Sequence, residues 1–115
     1  MHISLIFSQE RTMTYMVNNR IHVTPGYEEE FEARFRARAG EIDKQPGFIA
    51  MRVLRPQGNQ APYVVETEWE SQDAFRAWVG SDDFKRAHAN PMPKEAFGEG
   101  GGIEQFEVVI RADAN

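Results

Sequence analysis

A change of hydrophobic period at residues 24–26 constrains this chain more than any other feature. Before it, Tyr15, Val17, Asn19, Ile21 and Val23 alternate with Met16, Asn18, Arg20 and His22, the two-residue repeat of a strand with one buried face. After it, Phe31, Phe35, Ala39 and Ile42 fall at helical spacing and form an apolar stripe. Thr24-Pro25-Gly26 divides the two patterns, with Thr24 suited to cap a helix and Pro25 to occupy its first position. The spacing predicts a strand over 14–24 and a helix from there to about Lys44, stopped by Pro46-Gly47.

The same reading continues along the chain. Phe48 to Arg55 and Tyr63 to Glu70 read as two strands joined by the turn-rich stretch 56–62. Ser71 caps a helix whose apolar side is Ala74, Phe75, Trp78 and Val79; Gly80 ends it, and Ser81 starts a second short helix reaching His88. Asn90-Pro91-Met92-Pro93 stops that helix. Residues 94–102 read as a mobile loop on account of their glycines, and Ile103 to Arg111 as a last strand with Phe106, Val108 and Ile110 on one face. The order β-α-β-β-α-α-β is that of an α+β, ferredoxin-like split βαβ sandwich: a four-stranded antiparallel sheet with helices on one face. Phe48, Ala50, Leu54 and Val109 fall on rows that the helices are not expected to cover. An antiparallel sheet with a partly apolar free face is expected to pair with a second copy, giving a homodimer.

The 115 residues suffice for one domain, assigned to 14–113. Residues 1–13 are read as an N-terminal extension in which Ile3, Leu5 and Phe7 alternate as a short added strand would. Acidic and basic residues are interspersed around a net charge of −5, which disfavours a nucleic-acid partner because no basic face is concentrated. The absence of cysteine excludes disulfides, thiolate metal sites and thiol nucleophiles. The longest apolar run, near Leu5-Ile6-Phe7, is too short for a membrane span, and a secretory leader pattern is lacking. No membrane partner and a cytoplasmic location are therefore expected.

Three residues converge on what should be the helix-facing side of the sheet. Asn19 is the one polar residue in an otherwise apolar strand row, and a buried amide without partners costs roughly 1–3 kcal/mol. Trp78 lies on the apolar side of its helix, and His88 follows ten residues later. Trp69 closes a strand row just before a helix and reads as a core plug. The charged residues Glu28, Glu29, Glu30, Arg34, Arg36 and Arg38 read as a solvated face carrying Glu30–Arg34 and Glu32–Arg36 pairs. His2 and His22 are assigned no function.

With these residues in place, the sequence resembles the antibiotic-biosynthesis monooxygenase (ABM) superfamily from Thr14 to Ala112. The resemblance rests on Asn19-Arg20, Phe35, Pro46-Gly47-Phe48, Leu54-Arg55-Pro56, Trp69-Glu70-Ser71, Ala74-Phe75, Ala77-Trp78 and Ala87-His88. The set Asn19, Trp78 and His88 is similar to that of the IsdG-type haem-degrading members. That resemblance implies a dimeric α+β barrel, one haem per subunit as both substrate and cofactor, and oxygen-dependent opening of the porphyrin with iron release. It implies His88 as axial iron ligand, Asn19 as an N–H donor that is not an acid, and Trp78 as the side chain pressing on the macrocycle. Electrons would come from an external donor or reductase. Arg20, Arg86 and Lys94 are the cations considered for the propionates, with Arg20 sent to the opposite sheet face by alternation. Two alternatives remain open at this point. One is a cofactor-independent monooxygenase acting on a small aromatic or polyketide substrate. The other is a non-catalytic haem-binding module.

Overall fold

The computed structural model describes residues 13–58 and 61–114; the strand expected around Ile3–Phe7 lies outside them. The elements are β1 (Tyr15–Ile21), α1 (Glu28–Ile42), β2 (Phe48–Leu54), β3 (Tyr63–Trp69), α2 (Gln72–Val79), α3 (Asp82–Ala87), a 3-10 turn (Lys94–Ala96) and β4 (Gly102–Glu107). The strands form one antiparallel sheet in the order β2-β3-β1-β4. This is the ferredoxin-like arrangement that the order of periodicities implies.

Register decides which side chains meet the helices. Val17 pairs with Thr67 and Gln105, and Asn19 with Val65 and Ile103. Since alternate residues share a face, these six side chains form one patch across three adjacent strands. Helices α1, α2 and α3 cover that face. The core divides in two beneath them. Phe31, Tyr63, Val65, Met92 and Ala96 pack at one end, and Val17, Ile42, Trp69 and Trp78 at the other. Trp69 is fully buried, as a core plug should be, with its Nε1–H donating to Thr67 Oγ1 at 2.9 Å. Burying an indole removes roughly 150–250 Å² from water, and the hydrogen bond avoids the cost of a dry, unpaired N–H.

Several local expectations need correcting. The strand expected over 14–24 ends at Ile21, and Val23 makes only an isolated bridge to Phe97. The first helix begins at Glu28 after a Tyr27 cap, and Thr24 gives it no side-chain cap. The reason is Gly26, whose φ of 100° lies in the left-handed region that a right-handed helix cannot include. Residues 24–27 close a turn instead, with the Tyr27 N–H donating to the Thr24 carbonyl at 3.0 Å.

Phe48 does not lie on the free face. A register irregularity between Phe48 and Ala50 turns its ring into the helix-side core, edge-on to Trp69 at 5.4 Å. Ala50 and Leu54 do lie on the free face, across from Glu68 and Val64. The segment 94–102 is not a loose loop. Ala96 is fully buried, its carbonyl accepts from Thr24 N–H at 2.8 Å, and the His22 carbonyl accepts from Gly98 N–H at 2.8 Å. Close approach requires one of its glycines: a Cβ on Gly101, at φ 89°, would stand 2.1 Å from the Arg20 carbonyl oxygen. The last strand also stops at Glu107, four residues short of Arg111.

The charged face of α1 has the two expected ion pairs, each at 3.3 Å, but Glu32 is not simply solvated. Arg55 grips its carboxylate through Nε at 2.7 Å and a terminal nitrogen at 2.6 Å, and Tyr63 O–H donates to it at 2.5 Å. Glu32 is thereby lowered from 4.5 to about 2, chiefly by the Arg55 and Tyr63 hydrogen bonds. Burial, followed by the bond to Glu32, raises the Tyr63 phenol. This clamp ties α1 to the ends of β2 and β3.

Candidate active site between sheet and helices

A cavity of about 380 Å³ lies between the helices and the patch formed by β1, β3 and β4. Its size is within the range of roughly 300–1,000 Å³ usual for small-molecule sites. Val17, Asn19, Val65, Thr67, Ile103 and Gln105 make its floor, with Met51 from β2. Helix α1 contributes Phe35, Arg38 and Ile42, α2 contributes Phe75, Trp78 and Val79, and α3 with its cap contributes Phe84, Ala87 and His88. Asn19, Trp78 and His88, which belong to three different elements, thus line one cavity. Trp69 does not reach it.

His88 is placed by the end of α3. Ser81 starts that helix, its hydroxyl accepting from Phe84 N–H at 3.1 Å, and His88 is the C-cap. Phe84 and His88 are four residues apart and their rings stack, with centroids 4.0 Å apart. Nδ1 of His88 lies 2.8 Å from the Phe84 carbonyl oxygen. A carbonyl can only accept, so this contact puts the proton on Nδ1 and leaves the Nε2 lone pair free in the neutral ring. That is the tautomer a metal ligand needs, oriented by its own helix.

Trp78 is nearly buried and held from two sides. Its ring stacks on Trp69 with centroids 6.5 Å apart, and Phe84 meets it edge-on at 5.3 Å. It therefore forms a rigid aromatic wall. Asn19 stands in the floor between Val65 and Ile103, where strand pairing fixes its direction. Apart from Arg38, no lining side chain carries a formal charge when His88 is neutral. Among the described residues no group of three His, Asp or Glu side chains could hold a metal ion. A metal held by His88 would have to bring most of its ligands with it.

Sequence reasoning missed Arg38 and Gln105. Arg38 was absorbed into the charged face of α1, although its fourfold spacing from Arg34 and Ile42 places it beside the apolar stripe. Gln105 sits on the row of β4 opposite Phe106, and only strand register shows that this row faces the cavity. Arg20, Arg86 and Lys94 are not among the lining residues; Arg86 instead pairs with Asp83.

The sheet floor and the helix roof enclose this cavity within a ferredoxin-like α+β domain. Residues 14–90 match the family described as antibiotic biosynthesis monooxygenase, and the chain belongs to that family. The heme oxygenase (mycobilin-producing) of Mycobacterium tuberculosis is 38% identical to it over 96 residues, spanning 80% of this chain and 86% of the relative. The heme oxygenase (staphylobilin-producing) of Staphylococcus haemolyticus is 39% identical over 79 residues, spanning 66% and 74%. Among solved structures, the heme-degrader MhuD from Mycobacterium tuberculosis, with two hemes bound in its active site, is similar with a TM-score of 0.71 and 34% identity. That match covers 86% of this chain and 99% of the other. The cofactor-independent oxygenase SnoaB from Streptomyces nogalater is similar at a TM-score of 0.65 and 26% identity, covering 88% and 96%. Among the described residues, no helix is long and apolar enough to cross a membrane.

Proposed function

We propose that this chain is a haem-degrading monooxygenase, with His88 as the axial ligand and with Asn19 and Trp78 shaping the opposite side of the haem. The observation that carries this reading is the free Nε2 of His88 on a largely apolar, aromatic-walled cavity that offers no further ligand set. One imidazole suffices for a metal whose equatorial positions are already filled by a porphyrin. The relatives named for haem breakdown support the same reading.

Bound haem would supply the metal at which oxygen is activated and the ring that is opened, with electrons from an external donor or reductase and release of iron at the end. The chain's own residues do the rest. The Phe84 carbonyl keeps the His88 proton on Nδ1, so that Nε2 stays a ligand. Asn19 offers an N–H donor that cannot transfer its proton at neutral pH, which stabilises developing negative charge without acid catalysis. Trp78, backed by Trp69, is a wall too rigid to yield to a flat ligand, so the ligand must adapt to it. A flat ligand seated against the largely apolar lining would displace water from the reacting region.

The free sheet face is proposed to be covered by a second copy. It exposes Leu54 and Phe106, and Asn18 Oδ1 on that face is buried without a hydrogen-bond partner.

The test is hemin followed by ascorbate under oxygen. Degradation should bleach the haem spectrum with stoichiometric iron release to a ferrous chelator. An unchanged spectrum after many equivalents of reductant would leave only a haem-binding module. Oxidation of a phenol or anthrone by metal-free protein, without hemin affinity, would favour the cofactor-independent reading.

A further inference from the structure

The polar side chains of the cavity floor are few. Asn19 from β1, Thr67 from β3 and Gln105 from β4 stand among Val17, Val65, Ile103 and Met51. The Thr67 hydroxyl already accepts from the Trp69 indole. Val17 pairs with Gln105 and Asn19 with Ile103. Asn19 and Gln105 are therefore diagonal neighbours on one face of the sheet, roughly 7–8 Å apart along the backbone. The floor carries two amides side by side, and the function proposed above uses only one of them.

Gln105 is held by a relay of hydrogen bonds that begins on the helix layer. Gln72, the first residue of α2, donates from Nε2 to the Tyr15 hydroxyl at 3.3 Å. A phenol has one proton to give, and Tyr15 gives it to Gln105 Oε1. The Tyr15 ring also lies beside Phe75, with centroids 6.2 Å apart. Strand β4 is at the sheet edge, where an untethered glutamine would sample many rotamers; the relay removes that freedom. It also fixes which end of the amide is used. Oε1 serves Tyr15, and neither N–H of the Gln105 side chain has a protein partner among the described residues. What Gln105 offers to a ligand in the cavity is a donor.

We propose that Gln105 is a second hydrogen-bond donor of the cavity floor, and that Tyr15 is the residue that positions it. His88 belongs to the helix roof, so a metal that it holds has its opposite coordination position on the floor side. Gln105 donates there, beside Asn19, to a small anion bound at the metal. The assignment rests on the haem reading above and deepens it. A single amide lets such an anion turn about its bond to the metal; two donors on neighbouring strands fix its direction.

The test uses azide, a small anion that binds ferric haem. It is titrated spectroscopically into the hemin complexes of full-length wild type, Gln105→Leu, Gln105→Glu and Tyr15→Phe. Circular dichroism confirms each fold, and hemin affinity, measured first, should be alike in all four. Loss of a donor to an anion should weaken azide binding roughly 5- to 20-fold in Gln105→Leu. Gln105→Glu keeps the acceptor for Tyr15 but has no N–H, so it should weaken azide at least as much. Tyr15→Phe should weaken it less, and should add nothing in the Gln105→Leu background, because the two side chains act as one unit. Azide affinity unchanged in Gln105→Leu or in Gln105→Glu would overturn the donor while leaving the haem reading intact. So would a fully additive loss in the double variant, or a loss of hemin affinity in place of azide affinity. Wild type that binds no hemin would end both.

Discussion

The ring of His88 lies stacked on Phe84 at 4.0 Å, with its Nδ1 2.8 Å from the Phe84 carbonyl oxygen. One residue thus supplies both a surface and an acceptor to the proposed ligand, from one turn back along the same helix. Phe84→Ala removes the surface and keeps the acceptor. It should cost about 1–3 kcal/mol in stability for a half-buried ring, measured by urea denaturation. Hemin affinity should fall further than that of Phe84→Leu, which keeps an apolar contact.

The two tryptophans should separate cleanly. Trp69→Phe should lower stability by roughly 1–3 kcal/mol through lost volume and a stranded Thr67 hydroxyl, with little change in the hemin spectrum. Trp78→Phe should cost less stability yet shift the spectrum and the rate of bleaching, because Trp78 alone of the two lines the cavity. Thermal melts and hemin difference spectra of both variants check this.

Asn19→Ala should leave the fold and the hemin spectrum intact while slowing reductant-driven bleaching about 100-fold. That is the loss expected when one positioned hydrogen-bond donor is removed from a reacting site. Stopped-flow absorbance with ascorbate in excess measures it, and an unchanged rate would remove Asn19 from the chemistry.

Glu32 predicts an acid limb. Folding holds its carboxyl at about 2 against an ordinary 4.5. The folded state therefore binds fewer protons than the unfolded one between these values. The clamp's stabilisation is full above pH 4.5 and is lost as pH falls toward 2. Glu32→Gln should be less stable than wild type at pH 7, and its stability should fall less steeply from pH 4.5 to 2. Denaturation curves across that window give the slope directly.

Much of this was legible in sequence because it depends on period alone. Alternation placed Asn19 on the helix side of β1, and the fourfold spacing of Phe84 and His88 placed them together. The expectation that Trp78 and His88 meet Asn19 on the helix side of the sheet was readable too, and all three line one cavity. What escaped depends on long-range register or on a single backbone angle. Phe48 was sent to the wrong face because an irregularity in β2 shifts its pairing. Gly26 moved the start of α1 by its left-handed φ. The segment 94–102 looked loose because its glycines are locally permissive, whereas Ala96 is buried by Thr24 and its neighbours far away in sequence. Arg55 and Tyr63 gripping Glu32 is likewise a contact between distant elements, which no local pattern can announce.

The central claim is that His88 holds haem through Nε2. It is tested most directly by adding hemin to wild type and to His88→Ala and recording the Soret band. The account predicts a sharp, saturable band at one hemin per chain in wild type, and its loss or marked broadening in His88→Ala, with both proteins equally folded. An identical band in both proteins, or none in wild type, would contradict it.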